Sequence, residues 1–252
     1  MSFIITVYTN EGIIMASDSR TTYTNTLKGK DGTVIQRIGV QITDTTYKTF
    51  VCNSRIGLST CGTASINSMP IAGFIENFIS EKVTEESSVE EVAQNLLESF
   101  AQYSPIPATN FIVAGYNIND LKQHINRVHI ASKNIIPVNT DIPGVIWDGE
   151  TNTFQRLVKD VALKNPDGSY SDIQFFSIGF NYFTLQDAIN FAEYAVDATI
   201  KTMSFQDCVK TVGGPIDILA IKPSGAFWIQ RKELSRGLVR RKHLQATKAI
   251  EK

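Results

Sequence analysis

The second residue of the chain, Ser2, carries a hydroxyl group that can act as a nucleophile without help from a histidine. Once Met1 is removed, Ser2 bears the terminal amine, whose unperturbed pKa of about 8 lies well below that of a lysine side chain. Such an amine can take the hydroxyl proton, directly or through one water molecule. A small second residue is typical of chains that lose their initiator methionine. The alternative interpretation is that Ser2 is simply a tolerated second residue.

Other common catalytic signatures are missing from the sequence. It contains no GxGxxG after a strand, no GxxxxGK[ST] and no HExxH. Its histidines are His124, His129 and His243, and the first two lie five residues apart in an alternating strand, hence on opposite faces. A histidine-dependent triad or a zinc site is therefore poorly supported, and the proposed chemistry requires no metal or organic cofactor.

Composition and charge narrow the class of protein. The chain has 252 residues, of which 42% are hydrophobic and 19% charged, and its net charge of −1 argues against nucleic acid as the main ligand. The opening lacks a basic segment, and no run reaches the ~18 apolar residues of a membrane span. Three widely spaced cysteines suit a reducing compartment better than a disulfide framework: Cys52, Cys61 and Cys208. We expect a cytoplasmic protein without a membrane segment.

The hydrophobic pattern predicts the elements that must position Ser2. Runs rich in β-branched residues at 3–9 and 12–17 flank a hairpin signal, Asn10-Glu11-Gly12. Capping boxes, Ser88 with Glu91 and Thr184 with Asp187, begin two amphipathic helices. Helical spacing is also present at 65–79, and further strands are predicted at 34–42, 47–52, 56–60, 111–116, 124–131, 144–147, 154–158, 216–222 and 226–230. Blocks of hairpin-linked strands with grouped helices predict an α+β fold, layered helix–sheet–sheet–helix.

No linker or repeat divides this pattern, so we predict a single domain over residues 1–230. Basic residues concentrate beyond it, because residues 231–252 contain eight Lys or Arg against two acidic residues. A solvated basic C-terminal tail or helix is the preferred interpretation of this segment. A nucleic-acid role for the tail is the more distant alternative.

The stretch TVYTNEGIIMASDSRTT resembles the start of proteasome β-type subunits. In that family the mature first residue lies ten positions before a turn glycine and sixteen before the aspartate of an (A/S)D(S/T)R element. Counting back from Gly12 and Asp18 reaches Ser2. The family's strand lysine and, fourteen residues later, its oxyanion glycine correspond to Lys48 and Gly62. NFIVAGYN, FFSIGF and GGPIDILAI resemble later parts of the family, and the resemblance is closest to the bacterial Anbu and HslV-like members.

The resemblance implies a four-layer α-β-β-α sandwich with two antiparallel sheets, the N-terminal nucleophile hydrolase fold, and a serine-type peptidase or amidase. Ser2 would attack an amide with its own amine as base, and Lys48 would favour the alkoxide-like state. Asp18 would pair with Lys48, and the Gly62 amide would stabilise the oxyanion by roughly 3 kcal/mol. Three further residues are candidates for supporting the catalytic residues: Arg20, Ser177 and Asp207. A structural ion-pair cluster at a strand end is the alternative interpretation of the charged residues.

The resemblance also implies a homo-oligomeric ring or spiral, and HslV-like relatives work with an ATP-driven unfoldase. The sequence departs from the family in its serine nucleophile, where threonine is usual, and in a longer segment between Arg20 and Lys48. It also departs before its double glycine, where Val212 replaces a serine and Asp207 lies further from Gly213 than expected. Two alternatives stay open. One is a catalytically inactive, self-assembling subunit that retains Met1, and the other is an amidohydrolase acting on small amides.

Overall fold

The computed structural model describes residues 2–28, 31 and 33–233, so Met1 and residues 234–252 of the predicted basic tail lie outside the described residues. Strands of the described part are β1 Phe3–Thr9, β2 Gly12–Ser17, β3 Thr21–Lys28, β4 Val34–Thr43, β5 Thr49–Asn53, β6 Ile56–Gly62, β7 Ser65–Ile66, β8 Met69–Pro70, β9 Thr109–Tyr116, β10 Gln123–His129, β11 Asn134–Pro137, β12 Gly144–Gly149, β13 Ala162–Lys164, β14 Tyr170–Asp172, β15 Asp217–Lys222 and β16 Gly225–Gln230. The helices are α1 Ile71–Lys82, α2 Val89–Ala101, α3 Asn152–Val158 and α4 Leu185–Phe205, with a 3₁₀-helix at Phe180–Tyr182.

Two five-stranded antiparallel sheets contain most of the long strands. The first has the order β12–β1–β2–β15–β16, and the second has the order β11–β10–β9–β6–β5. Every residue of β1 and β2 is buried, which explains why their sequences are nearly continuous apolar runs rather than alternating ones. Three two-stranded sheets, β3–β4, β7–β8 and β13–β14, complete the set in the described residues. The mixed composition and the antiparallel pairing agree with the predicted α+β class.

Three clusters of buried side chains hold these elements together. Phe3, Ile5 and Val7 of β1 pack in one cluster with α3 and α4. Ile4 and Tyr8, on the opposite face of the same strand, pack in a second cluster with residues of β6, β9 and β10. The third cluster joins the second sheet to α1 and α2. The strand that begins directly after Ser2 is therefore fixed from both faces.

Both capping boxes form as predicted. The Ser88 hydroxyl accepts a hydrogen bond from the Glu91 amide at 3.2 Å, and the Glu91 carboxylate accepts one from the Ser88 amide at 2.9 Å. Thr184 and Asp187 make the same reciprocal pair at the start of α4. These bonds satisfy amide groups that a helix start otherwise leaves without partners.

The helix predicted over 65–79 begins later than expected. Residues 65–70 instead form the short hairpin β7–β8, and α1 starts only at Ile71. Asn67 and Ser68 have φ angles of 51° and 64°, a left-handed conformation that an α-helix does not accommodate. Pro70 then occupies the position before the first helical residue.

The strand predicted over 154–158 is wrong, because Asn152–Val158 forms α3. Phe154 is fully buried in this helix and makes edge contacts with Phe3, Trp147 and Phe191, at centroid distances of 5.6, 5.1 and 5.8 Å. Val158 packs against the same cluster. Residues four positions apart share a helix face, so this short apolar segment fits a helix as well as a strand.

Candidate active site

Ser2 lies immediately before β1 and is 7% exposed. Its carbonyl accepts a hydrogen bond from the Glu150 amide at 2.7 Å. Gly149, the residue before Glu150, has a φ angle of +93°. A Cβ atom at Gly149 would lie 1.8 Å from the Ser2 carbonyl oxygen. Only glycine therefore allows the end of β12 to approach and hold Ser2. No local sequence pattern predicts this role for Gly149.

The Asp18 carboxylate is the most highly connected group near Ser2. It follows β2, is fully buried, and accepts hydrogen bonds at both oxygens. Oδ1 accepts from the Phe3 amide at 3.0 Å and from Lys48 Nζ at 2.7 Å. Oδ2 accepts from the amides of Arg20 at 3.1 Å and Gly213 at 2.9 Å. Four donors, one of them charged, compensate the loss of water around this carboxylate.

Lys48 lies just before β5, with its side chain only 3% exposed. Its ammonium donates to Asp18 Oδ1 and, at 2.5 Å, to the Arg20 carbonyl, which uses two of its three protons. Burial lowers the pKa of Lys48, whereas the Asp18 carboxylate acts in the opposite direction. The Lys48 main-chain carbonyl accepts from the Thr60 amide at 2.8 Å, which ties the lysine to β6.

Gly62 ends β6 and lines the same cleft as Ser2 and Lys48. Its φ angle is +102°, and a Cβ atom at this position would lie 2.4 Å from the Ala108 carbonyl oxygen. This conformation strongly favours glycine. The structure thus brings Ser2, Asp18, Lys48 and Gly62 together.

Arg20 contributes its main chain to this centre, while its side chain turns away. The guanidinium binds both oxygens of Asp44, at 2.7 Å from Nε and 2.8 Å from Nη2. This partner lowers the pKa of Asp44. Asp44 is not predictable from the sequence, because no local pattern links it to a residue 24 positions earlier.

Ser177 and Asp207 are not among the residues that line the Ser2 cleft. Ser177 lines another cleft, together with Trp147 and Phe175. Asp207 is exposed in the segment that follows α4. We call Ser2, Asp18, Lys48 and Gly62 the Ser2 centre. After Asp207 the chain contacts this centre at Gly213, whose main-chain amide donates a hydrogen bond to Asp18. The structure does not bring Ser177 or Asp207 into this cleft, and their supporting roles stay predictions.

Neither a metal cluster nor a membrane-spanning helix is present in the part of the chain that the structure describes. Among the described residues, no group of three or more His, Cys, Asp or Glu side chains is arranged to hold a metal ion. None of the helices formed by these residues combines the length and the apolar character that a membrane crossing needs.

Two solved structures of Anbu from Hyphomicrobium sp. strain MC1 are similar to this chain. The Anbu (Gly-1) mutant is 15% identical with a TM-score of 0.56, and the match covers 100% of this chain and 95% of that chain. The second Anbu structure is 16% identical with a TM-score of 0.56, and covers 99% and 97%. No protein-family model and no curated protein sequence matches. This chain therefore has the fold of the Anbu structures, and the resemblance predicted from its sequence is confirmed at the level of the fold.

Proposed function

We propose that the chain is an N-terminal nucleophile hydrolase, a serine-type peptidase or amidase of the proteasome β superfamily. The observation that carries the proposal is the position of Ser2 beside the buried Asp18–Lys48 pair, in a cleft that Gly62 also lines. The order of the three buried clusters supports a four-layer α-β-β-α arrangement, with helices outside and two sheets inside. We place the protein in the cytoplasm, as a homo-oligomeric ring or spiral that can work with an unfoldase.

The reaction proceeds through an ester of Ser2. After removal of Met1, the Ser2 hydroxyl oxygen attacks the amide carbon of the substrate and its proton passes to the Ser2 amine. The resulting oxyanion accepts a hydrogen bond from the Gly62 amide. Collapse of this intermediate breaks the C–N bond, and the leaving nitrogen takes the proton from the terminal ammonium. Water then attacks the ester with the amine as base, which regenerates Ser2 and releases the acid.

The Asp18–Lys48 pair sets the electrostatics of this step. The Lys48 ammonium places a positive charge near the attacking oxygen and disfavours a second positive charge on the amine. Asp18 holds this ammonium at 2.7 Å and prevents an uncompensated buried charge. Asp18 also binds the Phe3 amide, so the same carboxylate positions both the lysine and the start of β1.

The proposal is tested by intact mass, covalent labelling and turnover on the purified full chain. We expect loss of one methionine, labelling of Ser2 by a serine-directed fluorophosphonate, and hydrolysis within a panel of fluorogenic peptide amides. Ser2→Ala should abolish labelling and turnover, and Ser2→Thr should retain both. Retained Met1 without labelling would instead indicate an inactive subunit. Hydrolysis restricted to acyl-amino acids would replace the peptidase by a small-amide hydrolase, and undiminished turnover by Ser2→Ala would overturn the mechanism.

A further inference from the structure

A second buried aspartate–lysine pair lies close to the first one. Lys232 follows the end of β16 by two residues, and its ammonium donates to Asp217 Oδ2. Its main-chain amide also donates to Asp217 Oδ1, at 2.8 Å. The two side chains are 4% and 0% exposed. This pair takes no part in the mechanism above, and the basic composition of residues 231–252 predicts a solvated tail for Lys232.

Sheet geometry brings this second pair beside the Ser2 centre. Asp217 is the first residue of β15 and pairs with Ser17 of β2, the residue directly before Asp18. Lys232 is also tied to Tyr47, the residue directly before Lys48. The Lys232 ammonium lies 4.3 Å from the centroid of the Tyr47 ring, and the Tyr47 hydroxyl donates to the Lys232 carbonyl at 3.3 Å. Asp217 therefore pairs with the residue that precedes Asp18 in the chain, and Lys232 contacts the residue that precedes Lys48.

Tyr47 also forms part of the wall of the Ser2 cleft. The Arg231 guanidinium lies 4.8 Å from the centroids of both the Tyr47 and Trp228 rings. Two cations, those of Arg231 and Lys232, thus lie within cation–π distance of the Tyr47 ring and favour one ring position. The segment Arg231–Lys232 thus fixes a side chain that a substrate in the cleft would meet.

The charges of the two pairs act on each other. Lys48 faces Asp18, Asp44, Cys61 and Lys232, of which Asp44 is itself bound by an arginine. Lys232 faces Asp217, Lys48 and Asp18. The Cys61 thiol, which lines the Ser2 cleft and also faces Asp148 of β12, stays neutral because burial raises its pKa. Two ammonium and two carboxylate groups, on side chains that are at most 4% exposed, thus balance one another, and removal of one charge leaves its partner acting on the remaining pair.

We propose that Asp217 and Lys232 are positioning residues for the Ser2 centre, which balance its charge and hold Tyr47 in the wall of the cleft. This inference rests on the proposed function, because the reacting group that they tune is the Ser2 amine. The role differs from that of a purely structural ion pair in one respect. It predicts opposite effects on protonation when opposite members of the pair are neutralised.

The experiment compares the pH dependence of kcat/KM for Lys232→Met and Asp217→Asn with that of the parent. Lys232→Met leaves the Asp217 carboxylate uncompensated, which favours the protonated form of the Ser2 amine. The acidic limb of the kcat/KM profile should therefore move to higher pH by roughly half a pH unit or more. Asp217→Asn leaves an uncompensated ammonium, so the limb should move down. The double variant should return the limb close to that of the parent, and Lys232→Arg should keep it there. The matched control is the exposed pair Asp197–Lys201, whose neutralisation should leave the profile unchanged.

Shifts in the same direction, or no shift in a folded variant, would overturn the inference. If Asp217→Asn does not fold, the profiles of Lys232→Met and the double variant are compared with that of the parent instead. A second readout needs no turnover, because competitive labelling with acetic anhydride, read by mass spectrometry, measures the pKa of the Ser2 amine directly. Absence of fluorophosphonate labelling in the parent would instead count against the proposed function, so the two failures are distinguishable. Because Tyr47 loses the Lys232 ammonium in Lys232→Met and in the double variant alike, we also expect the KM of both variants to rise.

Discussion

Asp18 links segments that are far apart in the chain through a single side chain. Its two oxygens accept hydrogen bonds from Phe3, Lys48, Arg20 and Gly213, the last of which is 195 residues away. A fully buried carboxylate with these four donors cannot be replaced without leaving some of the donors poorly satisfied. Its substitution therefore tests the centre more directly than any surface change.

Asp18→Asn should leave the Lys48 ammonium buried without a counter-charge. We expect the free energy of unfolding to fall by about 3–5 kcal/mol and kcat/KM to fall at least about tenfold, because Lys48 is no longer held as an ammonium. Urea unfolding and steady-state kinetics measure these two quantities. The control is Asp44→Asn, whose partly exposed pair with Arg20 should contribute about 1 kcal/mol or less. Equal losses in both variants would contradict the central role of Asp18.

Gly62→Ala should impair both folding and catalysis. The new methyl group would lie 2.4 Å from the Ala108 carbonyl oxygen at a φ angle of +102°, so we expect a loss of about 1–3 kcal/mol in stability. Movement of β6 to relieve the clash should also displace the Gly62 amide and lower kcat more than it changes KM. The control is Gly73→Ala in α1, where the added methyl group has open space and should stabilise the helix by up to about 1 kcal/mol. Similar behaviour of the two variants would contradict this expectation.

At the scale of single elements, burial decides more than local propensity. The segment of α3 is short and its first turn has no acidic residue or side-chain cap, so its helical state depends on packing. Phe154 provides that packing through its contacts with three other aromatic rings. By contrast, α2 and α4 carry complete capping boxes and are recognisable without their neighbours.

Phe154→Ala should therefore destabilise the protein strongly. We expect a loss of about 3–5 kcal/mol, since a fully buried aromatic side chain leaves a cavity in the cluster beneath α4. The measurement is the midpoint of urea unfolding, interpreted with an unchanged m-value. Phe205→Ala is the matched control, because Phe205 is 89% exposed at the end of α4 and should change stability by less than about 0.5 kcal/mol. A small effect at Phe154 would show that α3 does not depend on this contact.

Strand β5 contains a thiol that should make stability sensitive to alkaline pH. Burial raises the pKa of Cys52 from 9.0 to about 12. Below pH 9 the thiol is protonated in both states, whereas above pH 9 it ionises in the unfolded chain first, so stability falls as pH rises towards 12. At pH 10.5 this contribution is about 2 kcal/mol.

The measurement is the change in unfolding free energy between pH 7.5 and 10.5. This change should be smaller in Cys52→Ala than in the parent by about the same 2 kcal/mol. Cys208→Ala is the control, because Cys208 is exposed and its substitution should leave the change unaltered. Equal pH dependence of all three proteins would contradict burial of the Cys52 thiol.

At the scale of the whole molecule, many large apolar side chains remain exposed. Among the side chains of the two-stranded sheet β3–β4 that the structure describes, four are large, apolar and exposed: Val34, Ile35, Val40 and Ile42. A high density of exposed apolar side chains is typical of interaction sites, and an isolated pair of strands is only marginally stable in water. These features support the proposed homo-oligomer.

We expect native mass spectrometry at micromolar concentration to give a defined multiple of the single-chain mass. Light scattering during size-exclusion chromatography should give the same multiple over a tenfold dilution. The apolar surface provides the physical reason, since its burial between copies removes it from water. A particle that has the mass of one chain at every concentration would contradict the proposed assembly.

The sequence predicted those features whose causes are local. The β1–β2 hairpin follows from two apolar runs around Gly12, and its predicted strand bounds, 3–9 and 12–17, agree with the structure. The two capping boxes likewise depend on residues three positions apart. Over 65–70 the apolar spacing predicts a helix wrongly, because such spacing does not reveal the left-handed residues Asn67 and Ser68.

What the sequence determined by itself is the presence of Ser2, Asp18, Lys48 and Gly62 at family-like spacing, together with the hairpin and capped helices around them. What only the tertiary structure decided is which distant groups complete the centre. Gly213 rather than Asp207 contacts Asp18, and Lys232 returns from the predicted tail to bind Asp217. The physical reason is that these contacts arise from sheet pairing and burial between segments up to 195 residues apart. No local spacing encodes such contacts.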